Sequence, residues 1–408
     1  VDPFAERRIK FAEAIGDGLA VVPGGPEIMR NADTNYEFRQ ASDFYFLTGF
    51  DEPDSVAVFN PAHAKERYVL FVRPRDREME VWTGRRAGVE GAIANHGADA
   101  AYTIDELDRK LREWALERPT LFYRLGDPVH DTRMIRLVTD LRAARSRGLT
   151  PPVRLEDPGP ILHEMRLRRL PAELAAQRQA CAISREAHVE AMRFARPGAF
   201  EYEVQAVVEY VFRASGSPRN AYPSIIASGP NACVLHYQEN RRRMEDGDLL
   251  LVDAGCEFGY QSSDITRTFP INGRFTSPQR AIYEVVLRSQ IAAIEAGRPG
   301  SPYEAVHDAA RRVLTEGLVA LGLLPLGVEE SLAMHHYREF YMHGTGHWLG
   351  SDVHDVGDYR VSGRSRVLEP GMVFTVEPGL YIDPERETAT FYRREFSEQE
   401  VIERRYRL

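Results

Sequence analysis

Two nine-residue stretches constrain this chain more than any other feature. Gly247-Asp248-Leu249-Leu250-Leu251-Val252-Asp253-Ala254-Gly255 and Gly371-Met372-Val373-Phe374-Thr375-Val376-Glu377-Pro378-Gly379 follow one plan. Each opens on glycine, runs through an apolar strand to a carboxylate six residues on, and closes on glycine two residues later. A carboxylate at the end of an apolar strand is costly unless it is paired or binds a cation. Two such strands predict a pseudo-symmetric domain whose halves each aim one carboxylate into a shared cleft. The surrounding order agrees: helices are predicted at about 171–195 and 201–214, then strands at about 248–255 and 260–269. Ser277-Pro278 caps a further helix, on which Tyr283, Leu287 and Ile294 share a face. Another helix follows at about 302–321, then strands near 340–343 and 372–378.

A chain of 408 residues is too long for one small domain. Its first part reads as α/β, with buried strands at Leu19-Ala20-Val21-Val22, Ser55-Val56-Ala57-Val58-Phe59 and Tyr68-Val69-Leu70-Phe71-Val72, and a charged helix from Asp105 to Trp114. A proline-rich stretch between Thr150 and Pro160 ends it, and Leu170-Pro171-Ala172-Glu173 starts the next helix. The expected domains are residues 1–165 and 166–408. A net charge of −9 argues against nucleic acid and anionic membrane as partners. No stretch reaches the roughly 18 apolar residues of a membrane span, and no apolar signal core stands at the start. Three widely spaced cysteines, Cys181, Cys233 and Cys256, fit a reducing compartment, so a cytoplasmic location is expected.

The chemistry-bearing residues cluster in the second part. If the strands around Asp253 and Asp264 pair as antiparallel neighbours, the two carboxylates share a face, and a divalent cation removes their repulsion. His343 and His347 lie in Met342-His343-Gly344-Thr345-Gly346-His347-Trp348-Leu349-Gly350, and His354 follows in Asp352-Val353-His354-Asp355. Glycines between histidines predict backbone that something approaches closely. Glu377 adds a third carboxylate at the symmetric position. Asp253, Asp264, His347 and Glu377 form an oxygen-rich set with one nitrogen, suited to Mn²⁺, Co²⁺ or Zn²⁺, as a metal pair that acidifies a bridging water to attack an amide carbon.

At these residues the sequence resembles the creatinase/aminopeptidase P/prolidase family, the "pita-bread" metallopeptidases. Asp253-Ala254-Gly255-Cys256 with Asp264-Ile265-Thr266-Arg267-Thr268-Phe269-Pro270 resembles the family's two-aspartate motif. His343 to Gly350 with Asp352 to Gly357 resembles its histidine motif. Glu369-Pro370-Gly371-Met372 with Val376-Glu377-Pro378-Gly379-Leu380-Tyr381 resembles its glutamate motif. Asn35 to Gly49 resembles its N-terminal domain. The resemblance covers almost the whole chain and best fits Xaa-Pro aminopeptidases. It implies an α/β N-terminal domain plus an α+β pita-bread catalytic domain with an internal pseudo-twofold repeat. The implied reaction is cleavage between an N-terminal residue and a following proline, by two divalent ions with Mn²⁺ first among them.

By position, Asp253 would bridge both metals, and Asp264, His347 and Glu377 would complete the set. Glu377 would also be the general base and His354 would stabilise the oxyanion. His236 and His343 would line the substrate pocket or shuttle protons. Tyr222, Trp348 and Tyr381 fit a proline-sized pocket, and Arg364 or Arg366 would meet the peptide's carboxyl side. Trp82 resembles a residue that relatives insert into a neighbouring subunit, implying a homodimer or homotetramer. One departure stands out: the family's fifth ligand, a glutamate on a late apolar strand, has no clear counterpart. The repeat places its strand at about 388–396, where Arg393-Arg394-Glu395 is a literal Arg-x-Glu, but Ser397 to Arg407 reads as charged and helix-like. The expectation is that the sequence stops before that strand. Prolidase, acting on Xaa-Pro dipeptides, and a catalytically degenerate pita-bread binding protein are the alternatives. Creatinase does not need Asp253, Asp264 and Glu377 together, and methionine aminopeptidase normally lacks such an N-terminal domain.

Overall fold

The computed structural model describes residues 2–116, 118–383, 388–395 and 398–405, the last two stretches by their backbone alone. The chain divides into two compact units, residues 1–166 and 167–408. In the first, six strands form a mixed sheet in the order Ala100–Thr103, Tyr68–Val72, Val56–Phe59, Leu19–Pro23, Thr120–Phe122, Arg154–Glu156. The three central strands are apolar and buried along nearly their whole length, as expected of strands covered on both faces. Phe11, Phe44, Phe59 and Leu70 pack on one face, and Leu19, Phe71, Leu111 and Trp114 on the other. The predicted helix at Asp105 begins as a tight turn at Ile104–Glu106 and becomes regular over Leu107–Ala115.

The second unit carries the repeat. Helices Pro171–Phe194 and Glu201–Ala214 precede an antiparallel sheet of Ile225–Ser228, Leu249–Ala254 and Ile265–Pro270. Along Leu249–Ala254, Leu250, Val252 and Ala254 are buried against Ile183, Val204, Val208 and Phe212 of the two helices. Leu249, Leu251 and Asp253 therefore face the other way, because successive side chains alternate across a strand. Helices Ser277–Ala296 and Glu304–Ala320 open the second half. The glycines that begin the two repeated stretches share one left-handed conformation, φ +90° at Gly247 and +91° at Gly371. That is an independent sign of the repeat, since glycine is the residue that adopts this region freely.

The halves then diverge. Residues 372–378 form no regular strand, contrary to expectation. Among the described residues they pair on one side only, through Leu349 N to Val373 O, Thr375 N to His347 O and Glu377 N to Thr345 O, around one bridge between Trp348 and Phe374. In the first half, Leu249–Ala254 has strands on both sides. Residues 340–343 are likewise irregular, following a short turn of helix at His336–Glu339. The expected strand at 260–269 breaks into Gln261–Ser262 and Ile265–Pro270, the first joining a separate small sheet. Late in the chain a strand does occur where the repeat requires one, at Thr388–Glu395. Its partner is Glu398–Arg405, so over those residues the helix-like reading is overturned; residues 397, 406 and 407 lie outside the described residues. Alternating charges within a hairpin satisfy a period of two as readily as a helical one.

On helix Ser277–Ala296 the buried stripe is Val285, Ser289 and Ala293. Tyr283, Leu287 and Ile294 share a face, but it is exposed, and the N-cap is Thr276 rather than Ser277. The small stripe is inside because it lets the neighbouring helix approach: a Cβ on Gly317 would lie 2.3 Å from Val285 Cγ1. No helix among the described residues is long and apolar enough to cross a membrane.

Candidate metal centre

The register of the antiparallel sheet brings the two aspartates together. Asp253 pairs with Thr266, and Asp264 lies one residue before strand Ile265–Pro270. The hydroxyl of Tyr222 donates toward both carboxylates, at 2.5 Å from Asp253 Oδ1 and 2.9 Å from Asp264 Oδ1. Gly255 makes this turn possible, since a Cβ there would lie 1.8 Å from the Ser263 carbonyl oxygen. From the second half, His347 Nε2 stands 3.2 Å from Asp264 Oδ2 and 3.2 Å from Glu377 Oε1. The four residues predicted from spacing thus converge from both halves of the repeat.

The electrostatics call for positive charge. Burial, and then the neighbouring Asp264 carboxylate, push the Asp253 carboxyl up to about 7. Burial works against a charged His347, but its contacts with Asp264 and Glu377 outweigh it and raise the ring to about 10. Burial and both aspartates also drive the Tyr222 hydroxyl well above its ordinary value. Among the described residues no three of these side chains close into a ready-made coordination cage. They are joined instead by hydrogen bonds, Tyr222 linking Asp253 with Asp264 and His347 linking Asp264 with Glu377.

The donor set nevertheless fits a divalent ion. It offers three carboxylates and one imidazole, and the imidazole is already oriented. His347 Nδ1 lies 2.9 Å from the Trp348 carbonyl oxygen, which holds a proton on Nδ1 and leaves Nε2 to face the carboxylates. Thr375 locks the other side, its hydroxyl donating to Glu377 Oε1 at 2.7 Å and accepting from His347 N at 3.0 Å. Gly346 is needed for this pairing, because a Cβ there would lie 1.9 Å from the Thr375 carbonyl oxygen. A Cβ on Gly344 would come no nearer than 3.9 Å to another atom, the Gly346 carbonyl oxygen, so only one of the two glycines between the histidines is required by close approach.

The other predicted residues separate into two groups. His354 is exposed and its ring centroid lies 4.1 Å from that of His347. Burial, and then the charge of His347, hold it below its ordinary value, with His236 adding a smaller effect of the same sign. His236 is exposed in the turn after Gly229–Cys233. His343 Nε2 meets the Tyr381 hydroxyl at 2.9 Å. Trp348, by contrast, is fully buried and stacked on Tyr359, so it belongs to the core and not to a pocket wall. Arg366 is also buried and donates to the Asp358 carbonyl, whereas Arg364 is exposed in the hairpin Arg360–Ser365. Tyr222 reaches the aspartates themselves rather than a distant wall. Trp82 lies exposed on helix Arg77–Thr83 of the first unit. The backbone of Glu395 ends strand Thr388–Glu395, and its side chain lies outside the described residues.

Sequence reasoning passed over the supports. The segment bearing His354 is held by a buried ion pair of Arg169 with Asp355, and Arg169 also donates to the Leu349 carbonyl. Gly350 leaves room for it, since a Cβ would lie 1.5 Å from Arg169 Nη2. Thr345 accepts or donates at 2.7 Å with the Tyr341 hydroxyl and at 2.8 Å with His307 Nδ1. Aspartate and threonine inside the histidine motif were the available signal; the partners, 186 and 38 residues away in sequence, were not.

Known proteins resemble this chain over nearly its whole length. Residues 175–398 match the model of metallopeptidase family M24, and residues 4–123 match the aminopeptidase P N-terminal domain. The chain is 42% identical to Xaa-Pro aminopeptidase of Escherichia coli K12 over 393 residues, covering 96% of this chain and 89% of that protein. It is 34% identical to human Xaa-Pro aminopeptidase 3 over 370 residues, 90% of this chain and 72% of that one. Human Xaa-Pro dipeptidase is also 34% identical, over 424 residues, with 98% and 83% covered. Among solved structures, Pseudomonas aeruginosa aminopeptidase PepP superposes with a TM-score of 0.92 at 47% identity, covering 94% of this chain and 87% of that one. Zinc-substituted E. coli aminopeptidase P in complex with product gives 0.91 at 42%, with 94% and 88% covered.

Proposed function

This chain belongs to metallopeptidase family M24, with an aminopeptidase P N-terminal domain ahead of a pita-bread catalytic domain, and on that premise we propose the following reading of its site. The protein is a metal-dependent Xaa-Pro aminopeptidase. It hydrolyses the bond between an N-terminal residue and a following proline. The observation that carries this is the convergence of Asp253, Asp264, His347 and Glu377 in a chain so similar to Xaa-Pro aminopeptidases over nearly its full length. Identity to the aminopeptidase of E. coli exceeds that to the human dipeptidase, which favours aminopeptidase over prolidase.

Asp253, Asp264, His347 and Glu377 would hold divalent ions, Mn²⁺ first because the set is oxygen-rich with one nitrogen. Such ions, when bound, acidify water and polarise a carbonyl. A pair is the expected number, with Glu395 the candidate for a further ligand. The residues of the chain do the rest. Glu377, positioned by Thr375, takes the proton of the attacking water as general base. His354 faces the same centre and donates to the oxyanion of the tetrahedral intermediate. His343 and Tyr381, hydrogen-bonded to each other, flank the prolyl ring, and His236 lines the pocket from the opposite loop. Tyr222 bridges the aspartates and sets their spacing. Arg364 is the better candidate for the peptide's carboxyl side, since Arg366 is buried.

A cytoplasmic location agrees with three free cysteines. A homodimer or homotetramer agrees with the exposure of Val81 and Trp82, at 81% and 84%. The test is elemental analysis of the purified chain paired with Mn²⁺-dependent cleavage of an Xaa-Pro-Yaa tripeptide and an Xaa-Pro dipeptide. Bound metal with tripeptide turnover is the expected result. Turnover of the dipeptide alone would make it a prolidase, and metal-free protein without turnover on either would leave a binding protein.

A further inference from the structure

We infer that Glu201 is a positioning residue for His236, holding the loop on which that histidine is carried. The assignment rests on the reading of His236 as a substrate-pocket residue. Glu201 opens helix Glu201–Ala214 and is 0% exposed. A carboxylate so placed is costly unless donors surround it. Five do. Oε1 accepts from Ser228 N at 2.8 Å, Ser228 Oγ at 2.7 Å and Asn231 Nδ2 at 3.1 Å. Oε2 accepts from the Tyr237 hydroxyl at 2.8 Å and Arg242 N at 2.8 Å.

Every one of these donors belongs to a single stretch, residues 228–242. That stretch leaves strand Ile225–Ser228, makes the helical turn Gly229–Cys233 and returns toward Leu249–Ala254, the strand that carries Asp253. Glu201 therefore gathers the start, the middle and the end of the loop onto one carboxylate. Between the anchored points the tip is presented outward: Val234 is 55% exposed, Leu235 39%, and His236 is exposed as well. Asn240 reinforces the return, donating to Gln205 Oε1 and the Ser224 carbonyl and accepting from Ile226 N. A short helix cap would need one or two of these bonds. The bonds to Asn231 and Tyr237 serve the loop, and Tyr237 is the immediate neighbour of His236.

Glutamine is nearly isosteric but replaces one oxygen by a donor, so whichever way it turns it meets two or three donors with a donor. Loss of the loop's anchorage shifts His236, and misplacement of a positioned group costs orders of magnitude at most. If Glu201 acts through His236, its substitution matters little once His236 is gone, because residues acting as one unit are non-additive.

The experiment compares Glu201→Gln and Tyr237→Phe, each in the wild-type and the His236→Ala background, as Mn²⁺-loaded full-length enzyme. Steady-state kinetics on an Xaa-Pro-Yaa tripeptide are read beside hydrogen exchange at residues 229–242. E201Q is expected to lower kcat/KM about tenfold and Y237F about threefold, chiefly through KM, and each about twofold or less in H236A. Exchange at 229–242 is expected to rise while that at 249–254 stays unchanged. If E201Q does not fold, Y237F carries the same comparison. Equal fold-losses in both backgrounds, or unaltered exchange at 229–242, overturn the assignment alone. A wild-type enzyme that cleaves the peptide while H236A leaves KM unchanged overturns it too. A wild-type chain that cleaves no Xaa-Pro peptide overturns the functional reading and this assignment with it.

Discussion

At the scale of single residues, the candidate centre depends on side chains outside the proposed ligand set. Thr375 holds both Glu377 and His347. Thr375→Val keeps the volume and removes the hydroxyl, so metal affinity measured by calorimetry is expected to fall by about 10–100-fold, the usual effect of losing an outer hydrogen bond to a ligand. An affinity within twofold of wild type would refute this reading of Thr375. Gly350 makes a sharper case. Its replacement by alanine would press a Cβ into Arg169 and Asp355, 1.5 and 2.0 Å away. Disrupting one partner of a buried pair costs about 3–5 kcal/mol, so G350A should lower the denaturant midpoint accordingly. An unchanged midpoint would mean that the pair is not held as described. The motif residues Asp253, Asp264, His347 and Glu377 were legible in sequence because carboxylates and histidines stand out against apolar strands and glycines. Their supports were less so: Thr345 and Asp355 stand inside the motif, but their roles are fixed by partners far away in sequence.

At the scale of elements, alternation decides which side chains build the core and which build the site. Leu250 is fully buried among helix residues, while Leu251 is half-buried on the face shared with Asp253. Leu250→Ala is expected to cost about 2–5 kcal/mol in equilibrium unfolding, and Leu251→Ala clearly less. Equal costs would contradict the register. Helix positions were readable from proline starts and apolar spacing, and the two helix pairs lie within a few residues of expectation. The segments 340–343 and 372–378 were misread as strands for a physical reason. Aromatic and β-branched sequence favours extended backbone, but a regular strand also needs a neighbour, and among the described residues, positions 372–378 find one on a single side. The face of Tyr283, Leu287 and Ile294 failed differently. Periodicity shows that a face exists, not which face a neighbouring helix will cover.

At the scale of the whole molecule, each unit has its own stability ledger. In the first, Asp43 contacts Arg166 at 2.7 Å and His163 at 3.7 Å. Burial works against its charge, but His163 and Arg166 outweigh that and lower the carboxyl to about 2. A carboxyl lowered on folding contributes stability that is complete above its ordinary value, near 4, and is lost as the pH falls toward 2. The contribution is about 2 kcal/mol. Asp43→Asn should therefore destabilise the protein at neutral pH and flatten the acid limb between about pH 4 and 2. An acid limb of undiminished slope in the variant would show that other carboxylates dominate it.

Sequence by itself determined the family, and it marked four chemistry-bearing residues that the fold brings near one another. These are encoded in local order: glycines, apolar runs and carboxylates at fixed spacing reflect constraints that act within a few residues. Only the tertiary structure decided how they are held. The pairing of Thr375 with His347, the clamp of Arg169 on Asp355 and the gathering of one loop by Glu201 join residues between 27 and 186 positions apart. Which of many possible partners a buried polar group finds is settled by packing, because only the assembled core places donor and acceptor within 3 Å of each other and away from water.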